Sequence, residues 1–398
     1  MEAAYAGNTR KYILFILAVF FFMANPVNAM AEQGNSIAEN FIVQERLNND
    51  EIKKVEEAID ESLQDTDIYR KYNITAEDIL KGASEGTLMK NFRGLSKLIM
   101  HVFGNELKTN VTLILRLFAI MLLGALIRSL QPLQSGIPNE AAKLGINGVI
   151  ILIASVSFGS MATYASNAIE SMQNVASMAM PALIAFMASS GQIVSVSAIQ
   201  PLLLVGVNMA CQLFKNVLLP LTVSAGILFL IDGVSERFNL NTIAKLFKSC
   251  TTWVTGLVTL LFSIAVTIQK IASSSVDAVA LRTTKFAIGT FVPVAGKYMA
   301  EAADTIILCA SAVRNAAGIL TAAGLILICI IPFIKVFIIM LSFRLAAAFG
   351  APVCDESICD ALEDASGCMT AMLGIMGASL FVLVLLTGAL MNLGGLLR

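Results

Sequence analysis

Histidine is nearly missing from this chain: His101 is the one copy among 398 residues. That excludes zinc sites built on histidines and any H-E-x-x-H arrangement. A Ser-His-Asp triad would have to use His101, and no nucleophile-presenting turn lies near it. No G-x-x-x-x-G-K-[ST] run occurs, so the chain has no P-loop with which to hydrolyse nucleotide. Charge is scarce over most of the length. Residues 1–110 hold 28 of the 55 Asp, Glu, Lys and Arg, and the following 288 residues hold the other 27. These absences argue against an enzyme, and no catalytic residue, metal ligand, cofactor or nucleic-acid partner is assigned.

What the second part has instead is a succession of apolar runs, several long enough to cross a ~30 Å hydrocarbon core at ~1.5 Å per residue. The expected fold is all-α, a polytopic helical membrane protein with a small charged helical region in front. Candidate crossings are 111–130, 144–164, 217–231, 250–269, 316–333, 335–349 and 369–390. The stretch 178–214 is apolar but interrupted by Pro181, Gly191, Gln192, Pro201 and Gly206, and holds either two more crossings or a re-entrant pair. Seven to nine crossings follow.

Three regions result: 1–31, 32–110 and 111–398. In the first, Arg10 and Lys11 precede the apolar run 12–23, then Pro26 and the small-residue pattern Ala29-Met30-Ala31. This reads as a secretory signal peptide cut after Ala31, because a retained anchor needs ~20 apolar residues. Residues 32–110 are then translocated. They carry 15 acidic and 10 basic residues and no cysteine. Ile52, Val55, Ile59 and Leu63 recur at helical spacing, and Thr75 with Asp78 resembles a capping box. A third helix near 87–103 places Leu88, Phe92, Leu95, Ile99 and Val102 on one face, as a helix lying on membrane lipid would.

Loop charges suggest an orientation. Arg128 and Lys143, then Arg237, Lys245 and Lys248, mark cytoplasmic loops. The acidic loop 351–367, with Asp355, Glu356, Asp360, Glu363 and Asp364, reads as outside, which leaves the carboxyl end inside. Segment 270–315 conflicts: it should be outside, yet carries Lys270, Arg282, Lys285, Lys297 and Arg314. A buried or functional role for some of these cations resolves the conflict. Arg116, Lys215, Lys335 and Arg344 lie within apolar runs, where a charge faces protein or water or snorkels outward. Lys215 and Lys335 fall between apolar halves, so snorkelling at a crossing end is the plain expectation. Arg344 has the acidic loop as a candidate partner. Cys354, Cys359 and Cys368 cluster in that loop, at spacings that are no metal signature. Outside the cell a disulfide between Cys354 and Cys359 is permitted, with free thiols the alternative.

The most distinctive segment is 285–296, KFAIGTFVPVAG. Lys285, Gly289, Pro293 and Gly296 are its candidate functional residues, since glycine and proline there weaken a continuous helix. Glu301, Asp304, Arg314 and Asn315 follow, then IPFIK at 331–335 and SFRLAAAFGAP at 342–352. With the signal peptide, the charged front and the length, these resemble the stage III sporulation protein AE family of endospore-forming bacteria. Lys297 and the cysteines near 354 depart from that pattern. The resemblance implies a place and partners rather than a reaction: the membrane around the forespore, the other subunits of the stage III sporulation A operon, and a SpoIIQ-like forespore partner. Two function classes follow, a platform or pore subunit of a secretion-like channel and a permease-like transporter of small solutes. The sequence has no internal repeat of the kind many transporters show, which favours the first.

Overall fold

A computed structural model describes residues 88–130, 137–192, 200–233, 240–291, 296–352 and 356–391, together with 53, 56, 57 and 59–61. The expected signal peptide, the start at Thr75, Pro293 and Cys354 lie outside the described residues. The described residues form an all-helical fold. In chain order the elements are α1 (Leu88–Leu130), α2 (Ile137–Ser189), α3 (Gln200–Leu213), a π-helical turn (Phe214–Leu218), α4 (Leu219–Asp232), α5 (Asn241–Phe291), α6 (Gly296–Gly350) and α7 (Glu356–Leu390).

Among the described residues, six stretches are long and apolar enough to cross a membrane: Met100–Leu126, Gly145–Ser189, Leu203–Asp232, Asn241–Gln269, Ala310–Gly350 and Ser357–Leu390. Seven to nine were expected, and the difference has two causes. The runs 316–333 and 335–349 belong to the single helix α6, which continues through Pro332. In 178–214, Pro181 sits inside α2 without ending it, and α3, the π turn and α4 together form one stretch. A proline removes one donor, which a packed helix can absorb; two apolar runs divided by it are therefore not two crossings.

Helix α6 is central, touching α1, α2, α5 and α7. The core is built on its buried Leu320, Leu325, Val336 and Phe343, with Ile169 and Met172 of α2 and Met369, Met372 and Met376 of α7. The helix expected to lie on lipid near 87–103 is instead the first part of α1, which runs unbroken past residue 110. Its Val102, one member of the apolar face read from the sequence, is buried against Ile331, Ile334 and Ile338 of α6. The front region reaches the bundle too. Ile59 is 0 % exposed, and its Cδ1 lies 2.8 Å from where a Cβ on Gly324 would stand. Only a residue without that carbon leaves room for it at this approach.

The turns gather in a way the loop charges did not suggest. The Ser357 hydroxyl donates to the Gly233 carbonyl at 3.4 Å, and Lys248 Nζ stands 3.9 Å from Asp364 Oδ1. The basic α4–α5 turn and the acidic α6–α7 turn therefore share one end of the bundle and were wrongly assigned to opposite sides. Their opposite charges pair across it; the acidic turn carries no Lys or Arg, and acidic residues weigh little in an orientation reading.

Candidate functional site

Arg314 of α6 is the largest fully buried side chain among the described residues, at 0 % exposure. It is one of the five cations that fitted poorly in 270–315, and its burial accounts for that misfit. The end of α2 receives it. Gly191 has φ +81°, and its N–H bonds the Ala188 carbonyl at 3.0 Å while the Gln192 N–H reaches the Met187 carbonyl at 3.3 Å. This pair of bonds is a Schellman ending, which needs a left-handed residue at that position. It turns Ser190 and Gln192 toward α6, where Arg314 Nη1 donates to Ser190 Oγ and to Gln192 Oε1, both at 3.0 Å. Ser190 sends its own proton back to the Phe186 and Met187 carbonyls. Arg314 Nε and Nη2 have no hydrogen-bond partner among the described residues.

Two more cations of α6 are tied to neighbouring helices. Lys335 Nζ lies 3.7 Å from Glu106 Oε1 of α1 and 5.3 Å from the centre of the Tyr164 ring of α2. It stands inside one continuous helix rather than between two, with its ammonium held by Glu106 and the Tyr164 ring. Arg344 donates from Nε to Ser366 Oγ at 3.2 Å and from Nη2 to Thr370 Oγ1 at 3.3 Å. Its partners are hydroxyls of α7 rather than the acidic loop, whose Asp364 is taken by Lys248. Arg116 is different: it stands exposed on α1 between exposed Leu115 and Leu122.

A fifth cation sits where the helix geometry changes. Lys215 belongs to the π turn, and its Nζ donates to Glu170 Oε2 of α2 at 2.7 Å. One turn along, Gln173 Nε2 donates to Asn208 Oδ1 at 2.9 Å. Lys215 is thus held by a partner within the apolar stretch. A π turn accommodates one extra residue and is common at functional positions of membrane and soluble helices alike. Glu170, Gln173 and Asn208 were missed in the sequence. The available signal was polar residues three and four apart in the otherwise apolar run of α2.

The segment 285–296 is divided among elements. Lys285 and Gly289 fall in the last turns of α5, Gly296 opens α6, and 292–295 lie between. Cys359 is buried near Gly350 of α6, and Cys354 is not among the described residues, so a pairing of the two is not placed.

The family model for stage III sporulation protein AE matches residues 74–394, which includes all seven α-helices in full. The chain belongs to the stage III sporulation protein AE family. A relative named stage III sporulation protein AE, from Bacillus subtilis (strain 168), is 28 % identical over 285 residues, covering 69 % of this chain and 71 % of the relative. No solved structure matches. For this member of the AE family, the match takes in Arg314, the Glu170–Lys215 pair and segment 285–296, and leaves the first 73 residues outside it.

Proposed function

We propose that the protein is a membrane-embedded subunit of the assembly that joins mother cell and forespore, serving as its platform and as part of its pore. Family membership supports a role in stage III of sporulation. The structural observation that carries the platform role is how interior charge is used. Lys335 binds α1, Arg314 the end of α2 and Arg344 α7, so α6 holds three neighbours through polar bonds as well as packing. Such ties fix relative position, which suits a body that other subunits assemble on. The front region, which reaches α6 through Ile59, would lie on the extracytoplasmic side, where the remaining operon subunits and a SpoIIQ-like forespore protein would meet it. A permease-like transporter is the second reading, and one feature favours it: the Glu170–Lys215 pair stands within an apolar stretch.

Deleting residues 49–85 in sporulating cells tests the platform role. The shortened protein is expected to stay in the membrane while the other operon subunits no longer co-purify with it. Retained partners together with normal sporulation would overturn the platform reading and leave the transporter. Ile59→Ala keeps the front region but loosens its seat, and should weaken co-purification without abolishing it.

A further inference from the structure

We propose that α2 and the α3–α4 stretch together form the wall of a water-filled path through the membrane, closed by further copies of this chain. The inference deepens the pore part of the reading above and rests on it. Its basis is an exposed stripe on α2: Ser160, Thr163, Asn167, Glu170, Asn174 and Ser177, at spacings of three, four, three, four and three. All six are polar, and residues at these spacings share one face of a helix. The facing stretch presents exposed Asn208, Gln212 and Asn216. The Gln173–Asn208 and Glu170–Lys215 bonds join the two, so the polar surface is two helices wide.

The depth of this surface follows from lengths. Leu203–Asp232 has 30 residues. Any crossing of ~20 residues drawn from it must include 213–222 and therefore Lys215. Glu170 at 2.7 Å shares that depth. Phe158 packs on Gly226 and Gln173 bonds Asn208, so the part of α2 between them runs alongside 208–226. Thr163 and Asn167 lie in that part.

Lipid is a poor neighbour for such a surface. Ser160 and Thr163 return their hydroxyl protons to the Val156 and Gly159 carbonyls, which hydrocarbon tolerates. The side-chain amides of Asn167 and Asn174 make no hydrogen bond to described residues, although the Asn174 carbonyl accepts the Ser177 hydroxyl, and the Glu170 side chain is 54 % exposed beside Lys215 at 27 %. Charged and amide groups at this depth face protein or a water-filled cavity. Water is preferred here to a dry protein contact, because a half-exposed carboxylate already spends its one ion pair within its own chain. Each copy offers the same open face, so identical copies arranged around an axis enclose the path with no added component.

Single cysteines at Asn167 and Ser177, with Leu257→Cys and Leu260→Cys as controls, test this in the full chain with its seven native cysteines retained. The controls sit on α5 inside Asn241–Gln269, of which every ~20-residue crossing includes 250–260. Protein reconstituted alone in phosphatidylethanolamine–phosphatidylglycerol vesicles is treated with a charged water-soluble methanethiosulfonate, and modified peptides are read by mass. Thiols in water ionise and react, so Asn167→Cys is expected to react at least about tenfold faster than Leu260→Cys. Equal inertness in vesicles and in membranes from sporulating cells would overturn the hydrated wall. Reaction only in cell membranes would overturn closure by copies and assign it to another subunit. Thr163→Cys, on the same stripe, substitutes if Asn167→Cys does not accumulate. Partner co-purification, which tests the platform, is read independently of any of these rates.

Discussion

The outward sides of α2 and α5 are both exposed within stretches of crossing length, yet they offer opposite chemistry. On α5 the large exposed side chains between 253 and 268 are Trp253, Leu257, Leu260, Leu261, Ile264 and Ile268. The hydroxyls of that helix are satisfied internally: Thr251, Thr255, Thr259, Ser263 and Thr267 each donate to the carbonyl four residues earlier. On α2 the exposed line carries Asn167, Glu170 and Asn174, whose polar groups no helix carbonyl relieves. Both helices contain many apolar residues, but they spend them differently. Helix α5 turns apolar residues outward along 253–268, whereas α2 does so mainly beyond its polar line, at Leu152, Val156 and Met178, and keeps Ile169, Met172 and Val175 for the core. Exposure in a membrane protein therefore does not by itself mean contact with lipid; the chemistry of what is exposed decides.

The strongest way to break this contrast is to charge both faces. Leu260→Asp should raise the cost of inserting α5 by about 2.5–3.5 kcal/mol, and Asn167→Asp should cost α2 far less. A translocon insertion assay on the two helices in the full chain measures the difference, and equal penalties would erase it. A smaller effect is expected from Glu170→Ala, which leaves Lys215 without its partner and should destabilise the bundle by about 1–2 kcal/mol. Replacing Lys215 by Met in the same chain should recover most of that loss in a detergent unfolding titration. If the double variant is no better than the single one, the pair is not coupled. Smallest is Gly191→Ala, which places a side chain at φ +81° and should cost about 1 kcal/mol from the backbone alone. Leu281 Cδ2, 2.6 Å from the new Cβ, must also move. An unchanged unfolding midpoint would show that the α2 ending is not fixed by this residue.

The all-helical membrane fold was legible because long apolar runs leave few alternatives. Crossing number was less so. An apolar run at 316–333 and another at 335–349 look like two crossings, and only packing reveals one helix passing through Pro332. Loop charge misled because the acidic turn has no Lys or Arg and so carries little orientation signal, while packing puts its Asp364 beside Lys248 at a shared end. Of the charges within apolar runs, Lys335 and Arg344 were visible in the sequence, but their partners Glu106, Ser366 and Thr370 come from other helices, which the sequence alone does not pair with them. Arg314 was noted as a misfit rather than as the buried group it is. The polar stripe of α2 was present as a period of three and four, hidden by the bulky apolar residues between its members.

The π turn at Phe214–Leu218 acts as a phase adjuster between two halves of one rod. An α-helix advances about 100° per residue, so one accommodated residue rotates everything on its far side by that much relative to an unbroken helix. Asn208 lies on one side of the turn and Phe229, which stacks under Lys248, on the other. Removing a single residue from the turn would leave a regular helix of nearly the same length and composition. Such a helix could satisfy Gln173 of α2 or Lys248 of α5, but it could not aim at both.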